Sequence, residues 1–368
     1  MATPRIAIDV NSVLPYYTKG WTAGIGRTTK ELVEHLSTQR DLPFDITLYS
    51  QNFKGITADV MQLPFRTRHL RYPHRNVWNR LLALTPIKEW VTGYDLLHIP
   101  HNFDWVHDPS RTIITVHDAL YFAYPEEFLG HDFAQKHYPA LARACRGILT
   151  CSESSKRDIM QYMDVAEEKI CVTPWGYNEE LFHPREYRKT GCPYFLMVSC
   201  DEGRKNTRTL IKAYEQFASK GSPSHELVLV WVHPPQDVVH YCNRPHLRDR
   251  IYIVSEVDDE RLSRLYNEAT ATFFPSRYEG FGLPVLESMA CGTPVVTCHN
   301  SSLSEVGGEA ALYVDPDDVD DMAHHMEQFE NQAYDMQFMS QACLRQAAKF
   351  SWHNCIEKTT AFYQQCLS

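Results

Sequence analysis

The sequence predicts an α/β protein made of two doubly wound, Rossmann-like domains. Short apolar runs, among them Ile6–Val10, Thr112–Val116 and Tyr194–Val198, alternate with segments of helical periodicity, the pattern of strands buried on both faces of a parallel sheet. The chain has 368 residues, enough for two domains of ordinary size. A polar stretch running from beyond Arg185 to Pro193 separates two such series, and each half reads as the same sheet-and-helix layering.

In the first half, Ile6–Val10 is expected as the opening strand. Gly24, Ile25 and Gly26 then stand as a glycine loop before a helix carrying Leu32, Val33 and Leu36, suited to a ligand or to a tight turn. The segment from Val60 to Lys88 holds Arg66, Arg68, Arg71, Arg75, Arg80 and Lys88 without one acid, interleaved with Phe65, Tyr72, Trp78, Leu81 and Leu82. In a chain of net charge −10 this reversal points to an anionic membrane or a lipid-linked diphosphate, or to ion pairs with acids elsewhere in the fold. Leu96–Pro100 and Thr112–Val116 are expected strands, and the second ends at His117 and Asp118, where ligands gather at the carboxyl ends of parallel strands. Gly147–Thr150 is a strand passing into a helix that Ser152 or Ser154 can cap, and the run from Ile170 is a strand followed by a turn.

In the second half, Tyr194–Val198 leads through a polar loop bearing Arg204 and Lys205 into a helix with Leu210, Ile211 and Ala213 on one face. Leu227–Val232 and Ile251–Val254 are further strands, and the helix with Leu262, Leu265, Tyr266 and Ala269 has core spacing. Ala271–Phe274 ends at Pro275 and opens the stretch S-R-Y-E-G-F-G-L-P-V-L-E-S-M-A-C-G-T-P-V-V over Ser276–Val296. Gly280 and Gly282 allow a tight bend close to a ligand, Pro284 suits a first helical turn, and Gly292 closes the helix. A strand, a glycine loop and a helix N-terminus together offer amides and a positive dipole end to an anion, with phosphate the obvious guest. Glu279 and Glu287 frame this turn, and carboxylates accept hydrogen bonds from sugar hydroxyls. Asp315 with Asp317 and Asp318 with Asp320 spell D-x-D, but they precede a helix and are expected to cap it, so no metal is assigned.

The run E-G-F-G-L-P-V-L-E over Glu279–Glu287, with M-A-C-G-T-P-V-V ending at Val296 and E-V-G-G ending at Gly308, closely resembles the signature of retaining glycosyltransferases of family 4, which have the GT-B fold. The resemblance implies two Rossmann-like domains facing a cleft: residues 1–183 on the acceptor side, joined by a C-terminal helix 352–368 crossing back, and residues 184–351 binding a nucleotide-sugar. It places Glu279 by the donor sugar and phosphate, Glu287 on the ribose, the backbone of Phe281, Gly282 and Leu283 on donor oxygens, and Lys205, helped by Arg204, on the diphosphate. It also implies a donor-facing loop at Gly24 and Gly26, a base lying against the backbone near Val257, and His117 near the donor sugar, with Asp118 its expected orienting partner. His98 and His101 are weaker candidates. The sequence departs from the family at Trp175, where Asn is usual, and at Ser199 or Cys200, where an arginine is usual.

Composition bounds the partners. The acidic balance argues against broad nucleic-acid binding, and no run approaches the ~20 apolar residues of a membrane span. Eleven cysteines, odd in number and without C-x-x-C, suit reduced thiols in the cytosol, and the N-terminus is too short and interrupted for a signal peptide. The expected activity is transfer of a hexose with retention and no metal cofactor. GDP-mannose is the first donor, UDP- or dTDP-sugars follow, and the acceptor is a glycan that a lipid can carry. A nucleotide-sugar epimerase and a non-catalytic sugar-nucleotide-binding partner are the alternatives.

Overall fold

The computed structural model describes residues 3–20, 24–127, 129–187, 191–201, 203–221 and 223–368. The chain divides into two compact units, Met1–Gly176 with Ser351–Ser368, and Tyr177–Phe350. Residues 177–183 thus leave the first domain, where the sequence pattern puts them. They do so because Leu181 O accepts the Ser263 hydroxyl at 2.6 Å and Phe182 meets the Tyr266 ring edge-on at 5.9 Å, both partners in the second unit. The interdomain stretch expected up to Pro193 includes residues 188–190, which lie outside the described set.

Among the described residues, the first unit carries seven parallel strands, β1 Arg5–Asp9, β2 Asp45–Gln51, β3 Arg66–Leu70, β4 Leu96–Ile99, β5 Thr112–Thr115, β6 Gly147–Thr150 and β7 Ile170–Val172, in the spatial order β3-β2-β1-β4-β5-β6-β7. Ile6 aligns with Ile46 on one side and Leu96 on the other, so β1 is central. The strand order reverses between β1 and β4, and in open parallel sheets such a switch point opens a crevice at the carboxyl ends of the strands. The helix Trp352–Leu367 returns to this unit: Ile356, Phe362 and Tyr363 enter the same core as Ile6, Val33 and Leu48. Gly147 is needed beneath it, since a Cβ there would sit 2.5 Å from the Phe362 ring. Buried His98 fastens the helix, its Nδ1 lying 2.6 Å from the Tyr363 hydroxyl and its Nε2 2.8 Å from the Thr115 hydroxyl.

The second unit carries six parallel strands, β8 Tyr194–Met197, β9 Glu226–Val230, β10 Ile251–Val254, β11 Ala271–Phe274, β12 Val295–Cys298 and β13 Leu312–Val314, in the order β10-β9-β8-β11-β12-β13. Its switch point lies between β8 and β11. Those two strands end at the loop bearing Arg204 and Lys205 and at the loop bearing Glu279, so the topology alone brings the candidate residues together.

Three strands are not evident from the sequence pattern. In β2, Thr47, Ser50 and Gln51 interrupt the apolar run although all are buried, and β3 is a polar edge strand with Arg66 and Arg68 exposed on alternate positions. β12 overlaps the end of the glycine-rich motif, where Gly292 and Pro294 suggest a turn. The glycine loop expected at Gly24 and Gly26 is not a loop in the described residues: the helix Gly24–Thr38 begins at Gly24, and Gly26 is buried in its first turn.

Candidate active site

At the switch point of the second unit, a 3-10 turn at Gly203–Lys205 follows β8 and places two cations against one carboxylate. Arg204 Nη1 stands 2.6 Å and Lys205 Nζ 3.4 Å from Glu279 Oε1, and the Ser276 hydroxyl is 3.0 Å from the same oxygen. Lys205 also lies over the Phe274 ring, 5.1 Å from its centroid. Burial alone would push the Glu279 carboxyl up. The charges of Lys205 and Arg204 outweigh that, with the Arg204 and Ser276 hydrogen bonds adding to them, and hold it below the usual carboxylate range. The group is therefore a stable carboxylate at neutral pH, and it keeps two otherwise repelling cations side by side.

The backbone of the glycine loop is held from below. The Glu279 amide donates to Ser301 Oγ at 3.0 Å, and Ser302 Oγ lies 2.8 Å from Glu279 O and 2.9 Å from Phe281 O. Gly282 caps the helix Leu283–Ala290 with φ of +104°, and a Cβ there would stand 2.8 Å from Leu303 Cδ2, so both conformation and space demand glycine. No side chain caps this helix, and Gly280, Phe281 and Gly282 are buried beside its first turn, an arrangement suited to an anion. Glu287, one turn further along, is buried, and its Oε2 accepts the Tyr266 hydroxyl at 3.1 Å. Val257 is half-buried just after β10, next to Asp258, which caps the helix Asp259–Glu268.

Asn206 organises the neighbouring turns. It adopts φ of +64°, and its Nδ2 donates to Pro275 O at 3.1 Å and Pro316 O at 2.5 Å while its Oδ1 accepts from Thr209 Oγ1 and Arg277 Nη1. The Arg277 amide donates to Arg204 O at 2.7 Å, which ties the cation-bearing turn to the end of β11. Asp318 caps the helix Val319–Glu330 by accepting from the Asp321 amide, Asp315 accepts from the Asp317 amide, and Asp317 pairs with Arg277.

The first unit presents a different chemistry. His117, at the end of β5, is buried among Thr28, Thr29, Pro100, Trp175 and Trp352 around a cavity of about 30 Å³, room for about one water. Its Nε2 faces Pro100 O at 3.1 Å; a carbonyl only accepts, so the proton is on Nε2 and Nδ1 is an acceptor. Among the described residues, Nδ1 is buried without a partner. Burial pushes the ring down to about 4, so it is neutral at pH 7. The orienting group is therefore the Pro100 carbonyl, not Asp118, whose Oδ1 accepts the Leu120 amide at 3.1 Å. His98 belongs to the helix tether described above. Asp9, His74 and Asp104 bring ligand atoms within 4.8 Å of one another, but Lys88 Nζ already holds Asp104 Oδ2 at 2.7 Å, and a metal would have to displace that ammonium.

Residues 22–181 match the family described as Glycosyltransferase Family 4, and residues 178–348 match Glycosyl transferases group 1. The chain belongs to glycosyltransferase family 4. It is 28% identical over 377 residues to O-antigen chain mannosyltransferase B of Escherichia coli, an alignment spanning 93% of this chain and 96% of that one. Its fold matches sucrose-phosphate synthase from Thermosynechococcus elongatus with a TM-score of 0.77 at 18% identity, covering 98% of each chain. It also matches Anabaena HepE, solved with UDP and glucose, with a TM-score of 0.71 at 16% identity over 98% of this chain and 100% of that one. The architecture is the two-domain GT-B fold.

In this glycosyltransferase the fold gathers Arg204, Lys205, Glu279, Gly280, Phe281, Gly282 and Leu283 at one switch point, with Glu287 on the same helix. It does not bring Arg66, Arg68 or Arg71 there; they lie on or just after the edge strand β3 of the first unit. Sequence reasoning misses Asn206, Tyr266, Ser276, Ser301 and Ser302. A signal exists only for Asn206, since Asn between a turn and a helix is a residue that tolerates positive φ. Ser301 and Ser302 act through long-range pairing of loops, which no local pattern encodes.

Proposed function

We propose that the chain moves mannose from GDP-mannose to a hydroxyl of a lipid-carried glycan in O-antigen-type polysaccharide synthesis, retaining anomeric configuration and working at the cytoplasmic face of a membrane. The names of its relatives support the sugar and the acceptor class: an O-antigen chain mannosyltransferase of Salmonella typhimurium is 32% identical over 210 residues, beside the Escherichia coli relative. A UDP-sugar is the second reading for the donor, because the fold neighbour HepE was solved with UDP and with UDP-glucose.

The observation that carries the mechanism is the convergence of Arg204 and Lys205 on Glu279 beside the Gly282 helix start. In the reaction the anomeric C–O bond to the diphosphate breaks as the acceptor oxygen bonds to the same face of that carbon. The acceptor proton passes to the departing phosphate oxygen. Two fixed cations and the loop amides neutralise the leaving diphosphate, so this chemistry asks for no metal. Glu279 positions the sugar once the diphosphate competes for its cations, and Glu287 with Tyr266 addresses the ribose; in the first unit, neutral His117 offers Nδ1 as an acceptor to a hydroxyl.

The test is release of nucleoside diphosphate from purified protein with and without a glycan acceptor, with the anomeric configuration of the product read by NMR. Release that requires acceptor and gives a retained product supports the transferase. Conversion of the donor sugar without acceptor would establish an epimerase, and binding without either reaction a non-catalytic partner.

A further inference from the structure

The basic segment of the first unit carries an apolar surface that the proposed chemistry leaves unused. The helix Asn76–Leu82 buries one polar residue beside Leu82 and exposes its other apolar side chains. Its buried side holds Asn79, whose Oδ1 accepts from Gln51 Nε2 at 2.7 Å and whose Nδ2 donates to Asp104 Oδ1 at 2.8 Å. These bonds fix the helix in rotation with Val77 (72% exposed), Trp78 and Leu81 outward, and Leu84 (73%) is exposed in the turn that follows. An ordinary surface helix does the reverse. The helix Ile87–Thr92 packs against β3 and adds Trp90, 76% exposed. Val77 and Leu81, at i and i+4, share one helix face, Leu84 follows in the turn after the helix, and exposed apolar side chains gathered in one segment mark an interaction site.

The same segment is rimmed by exposed Arg66, Arg68, Arg71, Arg75 and Arg80. Residues 60–88 carry six cations and no acid, so the rest of the chain holds a net charge of −16. Among the described residues, the one ion pair made by these six is that of Lys88 with Asp104; Arg80 lies instead over the Trp105 ring at 5.5 Å. An acidic body with one basic, apolar face is repelled by an anionic surface in every orientation except that face first.

We infer that, at the membrane where the proposed reaction places this glycosyltransferase, the face formed by β3 and the segment from Arg71 to Trp90 docks on anionic lipid. Val77, Trp78, Leu81, Leu84 and Trp90 enter the headgroup boundary and the arginines hold lipid phosphates. Arg66, Arg68 and Arg71 therefore act on the bilayer and not on the donor.

Co-sedimentation of the full chain with vesicles free of any glycolipid isolates this step from catalysis. Binding to phosphatidylglycerol vesicles should exceed binding to phosphatidylcholine vesicles at least tenfold and be released by high salt. Leu84→Ser with Trp90→Ser should lower partitioning about tenfold while leaving the thermal midpoint and transfer to a water-soluble acceptor unchanged. Arg66→Ala, Arg68→Ala and Arg71→Ala should each cost on the order of fivefold, the equivalent of ~1 kcal/mol per charge. Equal binding to both vesicle types, or unchanged binding of all variants, would overturn the inference. So would a wild-type dimer in sedimentation velocity that the Leu84 and Trp90 variant dissolves, for then a second copy covers the face. If those variants fail to fold, salt and lipid dependence of the wild-type chain decide alone.

Discussion

The two switch points of this glycosyltransferase do opposite things with charge. In the second unit, Arg204 and Lys205 crowd around one carboxylate oxygen of Glu279; in the first, His117 is stripped of charge by burial and left, among the described residues, with a lone acceptor nitrogen. A charged cradle suits a partner that brings and takes away negative charge, as a leaving diphosphate does. A neutral acceptor suits a hydroxyl. The same sheet topology thus supports a charge-stabilising half and an orienting half, and the difference lies in the loops at the strand ends.

The comparison can be broken most severely at the cradle. Lys205→Ala should lower turnover by about two to three orders of magnitude, the cost of removing one preorganised charge donor from a developing anion. Glu279→Ala should do likewise, and Glu279→Gln should separate the negative charge from the hydrogen bonds. Initial-rate measurement at saturating donor checks both, and full turnover in Glu279→Ala would remove that residue from the site. Gly282→Ala forces a left-handed side chain into Leu303 and should weaken nucleoside diphosphate binding by more than tenfold in calorimetry.

Smaller effects test the uncharged half. Tyr363→Phe removes the hydroxyl bonded to buried His98 and should destabilise the first unit by about 1–3 kcal/mol in chemical denaturation, leaving nucleotide affinity intact. Acid should act on the same unit. His98 is pushed down to about 3 and His117 to about 4, so each binds fewer protons folded than unfolded. Their stabilisation is present above the ordinary imidazole value near 6.5 and is lost as pH falls from there toward about 4 for His117 and about 3 for His98, which a thermal melt series across that window would show. Tyr266→Phe should weaken nucleoside binding only a few-fold, because Glu287 keeps its place in the helix.

Much of this is legible in the sequence, for identifiable reasons. Strands such as β5 and β11 are short runs of apolar and β-branched residues, and the motif from Glu279 to Glu287 carries its own turn and helix start. β2 is hidden because Thr47, Ser50 and Gln51 are buried for pairing, and β3 because its arginines point to solvent at a sheet edge. The loop expected at Gly24 is helix because glycine permits a turn without requiring one. Adjacency favours Asp118 as the partner of His117, whereas the partner is Pro100 O, which lies on the strand end beside it only after β4 and β5 pair.

The central claim is that Arg204, Lys205 and Glu279 form a diphosphate site. It is tested most directly by calorimetric titration of GDP, UDP and dTDP, with the matching monophosphate, into wild-type protein and Lys205→Ala. The preferred diphosphate should bind the wild type at least tenfold more tightly than its monophosphate, regardless of chelator, and Lys205→Ala should abolish that preference. A preference that survives in Lys205→Ala, or equal binding of mono- and diphosphate by the wild type, would contradict it.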